Sequence, residues 1–264
     1  MPTDPQTPGH DTWVIVPCFN EANWIRGVVD ALAAQVGIEL TVLVIDNAST
    51  DGTGDIALEA AAAHPGLDLR VLVETEKGTG CASDSGARCA IAAGATRILR
   101  TDGDCLPAPT WAARMADSLH PDGGGLDLVG GNLRARRDDG TAPFAAAITV
   151  PVLYGLIRVV ARYRPDNNQK DQGYQAPFLL AGGLNMGITA SAYEASGGFP
   201  RTRIEDVHED KELVNRVRRV SSKLGYRRDA IVHYSNRRAK QHGIIGTLRW
   251  YLNHGAGADV VDVR

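Results

Sequence analysis

The chain has 264 residues, of which 44% are apolar and 22% are charged. This composition excludes disordered and fibrous proteins, and the length suits one large domain or two small ones. The formal net charge of −3 argues against a general nucleic-acid-binding protein. Basic residues concentrate in residues 200–264, which suits an anionic ligand and is equally typical of solvated helix faces.

In the first half of the chain, short apolar runs alternate with segments of helical periodicity. Strands that are apolar along their whole length and alternate with helices are typical of a parallel sheet covered on both faces. The sequence therefore predicts an α/β fold in which ligands bind at the carboxyl ends of the strands. The predicted strands are residues 13–17, 40–45, 69–73 and 96–100, and the predicted helices are residues 23–36, 53–63, 81–93 and 108–119.

The second half of the chain is less regular. Its clearest element is a helix over residues 208–224, where Leu213, Val217, Val220 and Leu224 recur at helical spacing. The pattern also predicts strands at 126–131 and 226–234, a strand and turn within 179–189, helices at 144–163 and 244–253, and a loop over 164–177.

Residues 144–157 form the longest apolar stretch, but a membrane-spanning helix needs about 18 residues. We therefore expect no transmembrane helix, and we expect this segment to lie in the core, at a dimer contact or at a membrane surface. The four cysteines form no CxxC pair, and residues 1–10 have no signal-peptide core. These features predict a reduced, cytoplasmic protein.

Polar residues follow each of the first four predicted strands. They are residues 17–21, 46–47, 74–77 and 102–104. Because the carboxyl ends of parallel strands meet at one edge of a sheet, we expect these groups to lie side by side.

The Asp-Gly-Asp sequence at residues 102–104 is a candidate metal site. Carboxylates at positions i and i+2 point the same way in an extended chain, and their oxygens suit Mg²⁺ or Mn²⁺. A surface turn is the alternative, because both residue types favour turns. Its position after a buried strand favours the metal site.

Two further segments of the same edge have alternative interpretations. Asp46 ends the second strand, where its carboxylate could accept hydrogen bonds from a nucleobase or from its own turn. Asp51 is interpreted as a helix cap. The loop at residues 77–80 is not a P-loop, and Ser83 stands where a dinucleotide-binding motif has its third glycine. Its glycines are expected to let the backbone approach a ligand or a neighbouring strand.

Acidic and basic residues near the C-terminal end complete the candidates. Glu209 and Asp210 open the helix at 208–224, where they could act as a base or simply stabilise the helix end, and Glu205 and Asp206 form a second acidic pair. Spacing alone does not choose between the pairs. Residues after the last strand could ligate a metal or bind a diphosphate, or simply be solvated; they are His233, Arg237 and Arg238.

Taken together, these segments resemble the family 2 glycosyltransferases, which have the GT-A fold. The resemblance covers roughly residues 13–240 and follows the family's order of motifs. The segments are VIVPCFNE at 14–21, VLVIDNASTDGT at 42–53, GTGCASDSG at 78–86, TDGD at 101–104, AGGLNMG with YEASGGF at 181–187 and 193–199, and HEDKEL with Arg216 and Gly225-Tyr226 from residue 208. Two positions depart from the pattern: Asp84 replaces the usual asparagine, and Ile188-Thr189 stands where relatives often have basic residues.

The resemblance implies an inverting, metal-dependent transfer of a sugar from a nucleotide-diphosphate sugar. It selects Glu209-Asp210 over the earlier acidic pair and implies that Asp210 is the general base. It implies a flexible tail at 1–11 and one GT-A domain over 12–264, with a nucleotide-sugar half at about 12–131 and an acceptor half at about 132–264. The implied nucleotide-sugar residues are Pro17, Phe19, Asn20, Glu21, Asp46, Lys77, Gly78, Asp102, Gly103, Arg237 and Arg238; the implied Mn²⁺ or Mg²⁺ ligands are Asp104, Asp102 and His233; Gly183 and Asn185 are implied on the acceptor side.

The sequence alone does not identify the nucleotide of the donor or the chemical class of the acceptor. The nucleotide could be UDP, GDP, dTDP or CDP, and the acceptor a small molecule or a lipid-linked one, with peripheral membrane contact and a homodimer as options. A nucleotidyltransferase is disfavoured because residues 17–21 lack its Gly- and Arg/Lys-rich loop. A non-catalytic nucleotide-sugar binder is disfavoured because Asp102, Asp104 and Asp210 are all present.

Overall fold

The computed structural model describes residues 9–136, 155, 159–164, 167–168, 170–201 and 209–235. Several predictions lie outside these residues: most of the N-terminal tail, most of the helix at 144–163, the helix at 244–253, and Arg237 and Arg238. Gly155 and residues 159–163 are helical.

Strands and helices alternate through the first half, as predicted. In chain order the elements are β1 (Thr12–Cys18), α1 (Ile25–Ala33), β2 (Thr41–Asp46), α2 (Thr53–Ala62), β3 (Asp68–Val73), α3 (Thr79–Ala92), β4 (Arg97–Arg100), β5 (Leu106–Pro107), α4 (Trp111–Leu119), β6 (Leu128–Ala135), β7 (Met186–Thr189), α5 (Ala190–Ser196), α6 (Glu209–Val220) and β8 (Leu224–Tyr234). Short 3₁₀ turns cover Lys170–Gln172 and Gly183–Asn185.

The strands form one eight-stranded mixed sheet in the order β3-β2-β1-β4-β7-β6-β8-β5. Strands β1 to β4 are mutually parallel, whereas β7 runs antiparallel to both β4 and β6. The carboxyl ends of β1, β2, β3 and β4 therefore meet at one edge. This arrangement confirms the predicted α/β fold and brings the four polar segments together.

Side chains alternate between the two faces of the sheet, and both faces are buried. Trp13 and Ile15 of β1 face a core cluster that includes α3, and Val14 and Val16 face a second cluster that includes α1 and α4. Because both faces are buried, β1 and β2 are apolar at nearly every position.

Three local features differ from the sequence prediction. The two-residue strand β5 and helix α5 were not predicted. Helix α6 ends at Val220 rather than at residue 224: Val220 is 42% exposed, and Leu224 begins β8, where it pairs with Leu128. Ser221 donates to the Asp127 carboxylate at 2.6 Å, which fixes the turn between α6 and β8. Tertiary pairing therefore overrides the apolar periodicity.

None of the four cysteines, all of which lie in described residues, forms a disulfide. Across the described ranges, no helix has both the length and the apolar character needed to cross a membrane.

Candidate active site

The loop after β1 is tied to the loop after β2 by Asn20. Its backbone adopts a left-handed conformation (φ +55°), which asparagine tolerates better than most residues. The Asn20 amide N–H donates to Ser49 Oγ at 3.0 Å, and its side-chain oxygen accepts from the Thr50 N–H at 2.9 Å. The Glu21 N–H donates to Thr53 Oγ1 at 2.9 Å. The predicted segment at 17–21 is thereby held against the end of β2.

Asp51 has a structural role, as expected, although it is not the cap itself. The N-cap of α2 is Gly52 at φ +82°. One Asp51 oxygen accepts from Thr53, and the other accepts from the Ala22 N–H at 2.9 Å. Burial favours a higher pKa for Asp51, but the hydrogen bond from Thr53 and those from the backbone outweigh it and lower the pKa.

Asp46 and Asn47 sit at the end of β2 beside the loop after β3. Asp46 is half-buried, and its Oδ1 accepts from the Ser49 N–H at 2.9 Å. The Asn47 side-chain amide donates to the carbonyls of Glu74 and Glu76, and its oxygen accepts from the Gly78 N–H at 2.8 Å. Asn47 thus shapes the loop at 74–78, a role that sequence reasoning missed although asparagine is a common turn residue.

The loop after β3 brings two predicted nucleotide residues together. The Lys77 ammonium lies 5.4 Å from the centroid of the Phe19 ring, which is within range of a cation–π contact. Lys77 is exposed at this edge. A cation beside an aromatic ring can bind both the charge and the flat base of a nucleotide.

The Asp-Gly-Asp segment follows β4 and packs against the end of β1. A Cβ added to Gly103 would lie 2.6 Å from Cys18 Sγ, so only glycine fits between the two aspartates. Asp102 and Asp104 are both half-buried. Two partly exposed carboxylates, held on a backbone pressed into the core, are the oxygen ligands that Mg²⁺ or Mn²⁺ requires.

Asp104 is positioned by two neighbours. Burial raises the pKa of the Cys105 thiol well above its usual value, so the thiol stays protonated and donates to Asp104 Oδ1 at 3.3 Å. Arg136 donates to the Asp104 carbonyl at 2.9 Å, and its guanidinium stacks over the Trp24 ring at 5.1 Å. Arg136 was not predicted, since it comes from the far end of β6.

His233 lies on β8, where it pairs with Leu106 of β5. Its Nδ1 is 3.3 Å from the Leu106 carbonyl oxygen. Within the part of the chain that the structure describes, no three His, Cys, Asp or Glu side chains come together as a metal-binding group. The metal role of His233 stays a prediction.

Asp210 lies in the first turn of α6, and the backbone orients its carboxylate. Oδ2 accepts from the Gly183 N–H at 3.1 Å, and Oδ1 accepts from the Lys211 N–H at 2.6 Å. Burial and the negative charge of Glu209 raise the pKa of Asp210, against the opposing effects of Arg100 and these backbone donors. A raised pKa suits a group that must take a proton near neutral pH.

Glu209, predicted with Asp210 as catalytic, points to a different partner. It is only 6% exposed, and its Oε1 accepts from Arg100 at 3.0 Å. Arg100 ends β4 and also lies 3.4 Å from Asp102. Sequence reasoning missed Arg100; a charged residue at the end of a buried strand is the signal that could have found it.

The two residues predicted on the acceptor side have different surroundings. Gly183 contacts Asp210 directly. Asn185 is 1% exposed, and its side chain accepts from Trp111 Nε1 and donates to the carbonyls of Asn132 and Ala230. These contacts make Asn185 part of the floor that joins β6, β8 and α4 beneath the site.

The raised pKa of Asp210 predicts how turnover depends on pH. Because its pKa is raised, the acid limb of the kcat profile should lie above the pH expected of an ordinary aspartate, about 3.9. Glu209→Gln removes a negative charge that raises this pKa, so the limb should move to lower pH. A pH profile of kcat for both proteins checks this, and an unmoved or upward-moving limb would contradict it.

The buried carboxylate of Asp84 forms ion pairs with Arg88 and Arg201. Its carboxylate is 2% exposed. Its two oxygens share the Arg88 Nε–H, at 3.0 and 2.9 Å, and one of them also accepts from the Tyr193 hydroxyl at 2.8 Å. Arg201 lies 3.4 Å away and also binds Glu74 and Glu76. These partners explain why a charged residue replaces the family's asparagine at this position.

Tyr193→Phe should destabilise the fold. The hydroxyl donates to buried Asp84 and accepts from the Phe199 N–H at 3.1 Å, so its loss leaves two buried groups without this partner. We expect the free energy of unfolding to fall by about 1–3 kcal/mol. Urea denaturation measures this. Tyr163→Phe is the control because Tyr163 is 72% exposed, and an equal effect of both substitutions would argue against the buried network.

Similarity to known proteins identifies the family of the chain. The family model described as glycosyl transferase family 2 matches residues 13–175. The chain belongs to this family. Its alternating strands and Asp-Gly-Asp segment lie within the match.

Two curated proteins are similar to the chain over part of their length. Glycosyltransferase AglE of Haloferax volcanii is 35% identical over 211 residues, covering 76% of this chain and 60% of the relative. Polyprenol monophosphomannose synthase of Mycolicibacterium smegmatis is 35% identical over 135 residues, covering 49% of this chain and 48% of the relative. The chain thus spans about half to three fifths of the length of these relatives.

Solved structures share its fold. A mannosyltransferase from Pyrobaculum calidifontis, in complex with GDP-Man and Mn²⁺, aligns with a TM-score of 0.61 at 22% identity, covering 97% of this chain and 67% of that chain. Glucosyl-3-phosphoglycerate synthase from Mycobacterium tuberculosis, in complex with Mg²⁺ and UDP, aligns at 0.55 and 17%, covering 95% and 82%. The chain therefore has the predicted GT-A fold.

Proposed function

We propose that this family 2 glycosyltransferase transfers a sugar from a nucleotide-diphosphate sugar to an acceptor with inversion at the anomeric carbon, using Asp210 as the general base. The observation that carries the proposal is the orientation of the Asp210 carboxylate. This carboxylate accepts a hydrogen bond from the Gly183 N–H, and the preceding residue, Glu209, is paired with Arg100, which also lies 3.4 Å from Asp102. The contacts of this buried arginine support a donor site at Asp102 close to a base at Asp210.

The donor is proposed to lie along the carboxyl edge of β1 to β4. Asp46 would accept hydrogen bonds from the base, and Phe19 and Lys77 would flank the nucleotide. Asp104 and Asp102 would hold Mn²⁺ or Mg²⁺ next to the diphosphate, and the relatives crystallised with Mn²⁺ or Mg²⁺ support this choice of ion. When bound, the metal supplies positive charge that stabilises the departing diphosphate.

The chain's own residues would carry out the displacement. Asp210 takes the acceptor's proton as the acceptor oxygen attacks the anomeric carbon. A new bond from carbon to the acceptor oxygen forms as the bond to the diphosphate oxygen breaks, and the diphosphate leaves with that electron pair. Attack from the face opposite the leaving group inverts the configuration. Glu209 does not act as the base in this scheme, because its carboxylate is paired with Arg100.

The acceptor is proposed to be lipid-linked, delivered at a membrane surface. The relative that acts as a polyprenol monophosphomannose synthase supports this class. The described part of the helix before residue 164 also exposes apolar side chains: Val159 is 54%, Val160 51% and Tyr163 72% exposed. Arg162 and Arg164 are exposed next to them in the chain. Such a face suits an anionic membrane surface.

A panel of nucleotide diphosphates tests the donor site. Thermal unfolding would be followed with UDP, GDP, dTDP or CDP in the presence of Mn²⁺, Mg²⁺ or EDTA. A ligand that binds only the native state raises the melting temperature by mass action. We expect one nucleotide to raise it, and EDTA to abolish the shift. No shift with any nucleotide, or a shift insensitive to EDTA, would count against the proposed metal-dependent donor site.

A further inference from the structure

We propose that Arg100 is a positioning residue that sets the distance between the donor side of the site and the base. This inference rests on the function proposed above. The same guanidinium nitrogen, Nη2, lies 3.0 Å from Glu209 Oε1 and 3.4 Å from Asp102 Oδ1. Glu209 precedes the base in the chain, and Asp102 is the first residue of the predicted metal segment. One rigid side chain thus spans the two halves of the site.

The surroundings of Arg100 are built to hold it in one place. A Cβ on Gly183 would lie 2.6 Å from Arg100 Cζ, so glycine at 183 makes room for the guanidinium. The same Gly183 donates its N–H to Asp210. On another side the guanidinium lies 5.2 Å from the centroid of the Phe199 ring. Arg100, Gly183 and Asp210 therefore have to move together.

Stability alone does not account for this arginine. Arg100 is only 3% exposed, and its Nε and Nη1 have no hydrogen-bond partner among the described residues. Burying a charge with incomplete hydrogen bonding is costly, and a buried ion pair often adds little to stability compared with apolar packing. A geometry that a protein retains at such a cost is typical of a functional site.

The substitution Arg100→Lys tests the proposal. Lysine keeps the positive charge, but it replaces the planar guanidinium, which packs beside Gly183 and Phe199, with a point charge on a flexible stem. Arg70→Lys is a matched control, because Arg70 is also 3% exposed in the same sheet, is paired with Asp68 at 2.8 Å and stacks on Trp13 at 4.8 Å. Both variants would be assayed for kcat, for the KM of the donor and for the affinity of the metal–nucleotide complex.

We expect Arg100→Lys to lower kcat by about 10- to 100-fold while the donor KM and nucleotide affinity change by less than about threefold, because misplacement of a reacting group acts mainly on the chemical step. Arg70→Lys should leave kcat within about twofold. The effect of Arg100→Lys should shrink in a Glu209→Gln background, since interactions within one network are not additive. An unchanged kcat in Arg100→Lys, or full additivity with Glu209→Gln, would overturn the proposal.

A measurement independent of turnover separates this inference from the proposed function. Amide hydrogen exchange would follow the Gly183 N–H, which is bonded to Asp210. Its protection should fall in Arg100→Lys and stay unchanged in Arg70→Lys. Loss of protection in a protein that transfers no sugar would sustain the positioning role while refuting the transfer reaction. Normal protection and normal kcat in Arg100→Lys, with turnover lost in Asp210→Asn, would refute only the positioning role.

Discussion

Asp210→Asn is expected to lower turnover by about 100- to 10,000-fold, because an amide cannot take the acceptor's proton. The fold should persist, since the asparagine oxygen can still accept from the Gly183 N–H. Nucleotide affinity should stay close to that of the unaltered enzyme, because Asp210 has no proposed role in binding the donor. Steady-state kinetics and calorimetric titration with the nucleotide that stabilises the protein measure the two quantities.

The neighbouring acidic pair supplies the control for this prediction. Glu205 and Asp206 lie only a few residues before Glu209 and Asp210, and spacing alone could not separate the two pairs. Asp206→Asn should retain most of the turnover. If Asp206→Asn loses activity and Asp210→Asn keeps it, the base has been assigned to the wrong carboxylate.

Asp104→Asn is expected to abolish metal-dependent turnover, with a loss of at least about 100-fold. Asparagine has the same shape, and its oxygen can accept from Cys105, so the Asp-Gly-Asp backbone should stay in place. What is lost is the negative charge that a divalent cation requires. Unlike Asp210→Asn, this variant should also lose the metal-dependent part of nucleotide affinity, measured by calorimetry with and without EDTA.

Asp122→Asn is a matched control for Asp104→Asn, because its side chain is 95% exposed. It changes the net charge by the same amount and should leave turnover and metal dependence unaltered. Undiminished activity of Asp104→Asn at low metal concentration would remove Asp104 from the proposed ligand set.

The parallel half of the sheet was predictable from sequence because local signals agree there. β1 and β2 are apolar at nearly every position, and each is followed by polar turn residues and an amphipathic helix. The carboxyl edge then follows from topology alone, so Asp46 and the Asp-Gly-Asp segment could be placed together before the fold was known. The resemblance to the family motif is what selected Asp210 as the candidate base.

The rest depends on contacts between residues far apart in the chain. Arg100 meets Glu209 across 109 positions, and no local pattern encodes that pairing. Asp84 departs from the family pattern, and its distant partners Tyr193 and Arg201 are visible only in the structure. The predicted end of α6 was wrong for a similar reason. Leu224 continues the helical periodicity, but its pairing with Leu128 places it in β8.

The configuration of the first sugar released from the donor tests the central claim most directly. Slow hydrolysis of an α-linked nucleotide sugar uses water as the acceptor and needs no knowledge of the natural one. Proton NMR would follow the anomeric signals before mutarotation mixes them. Direct displacement assisted by Asp210 predicts that the β-anomer appears first, with the rate strongly reduced in Asp210→Asn. Initial release of the α-anomer would contradict a single inverting step.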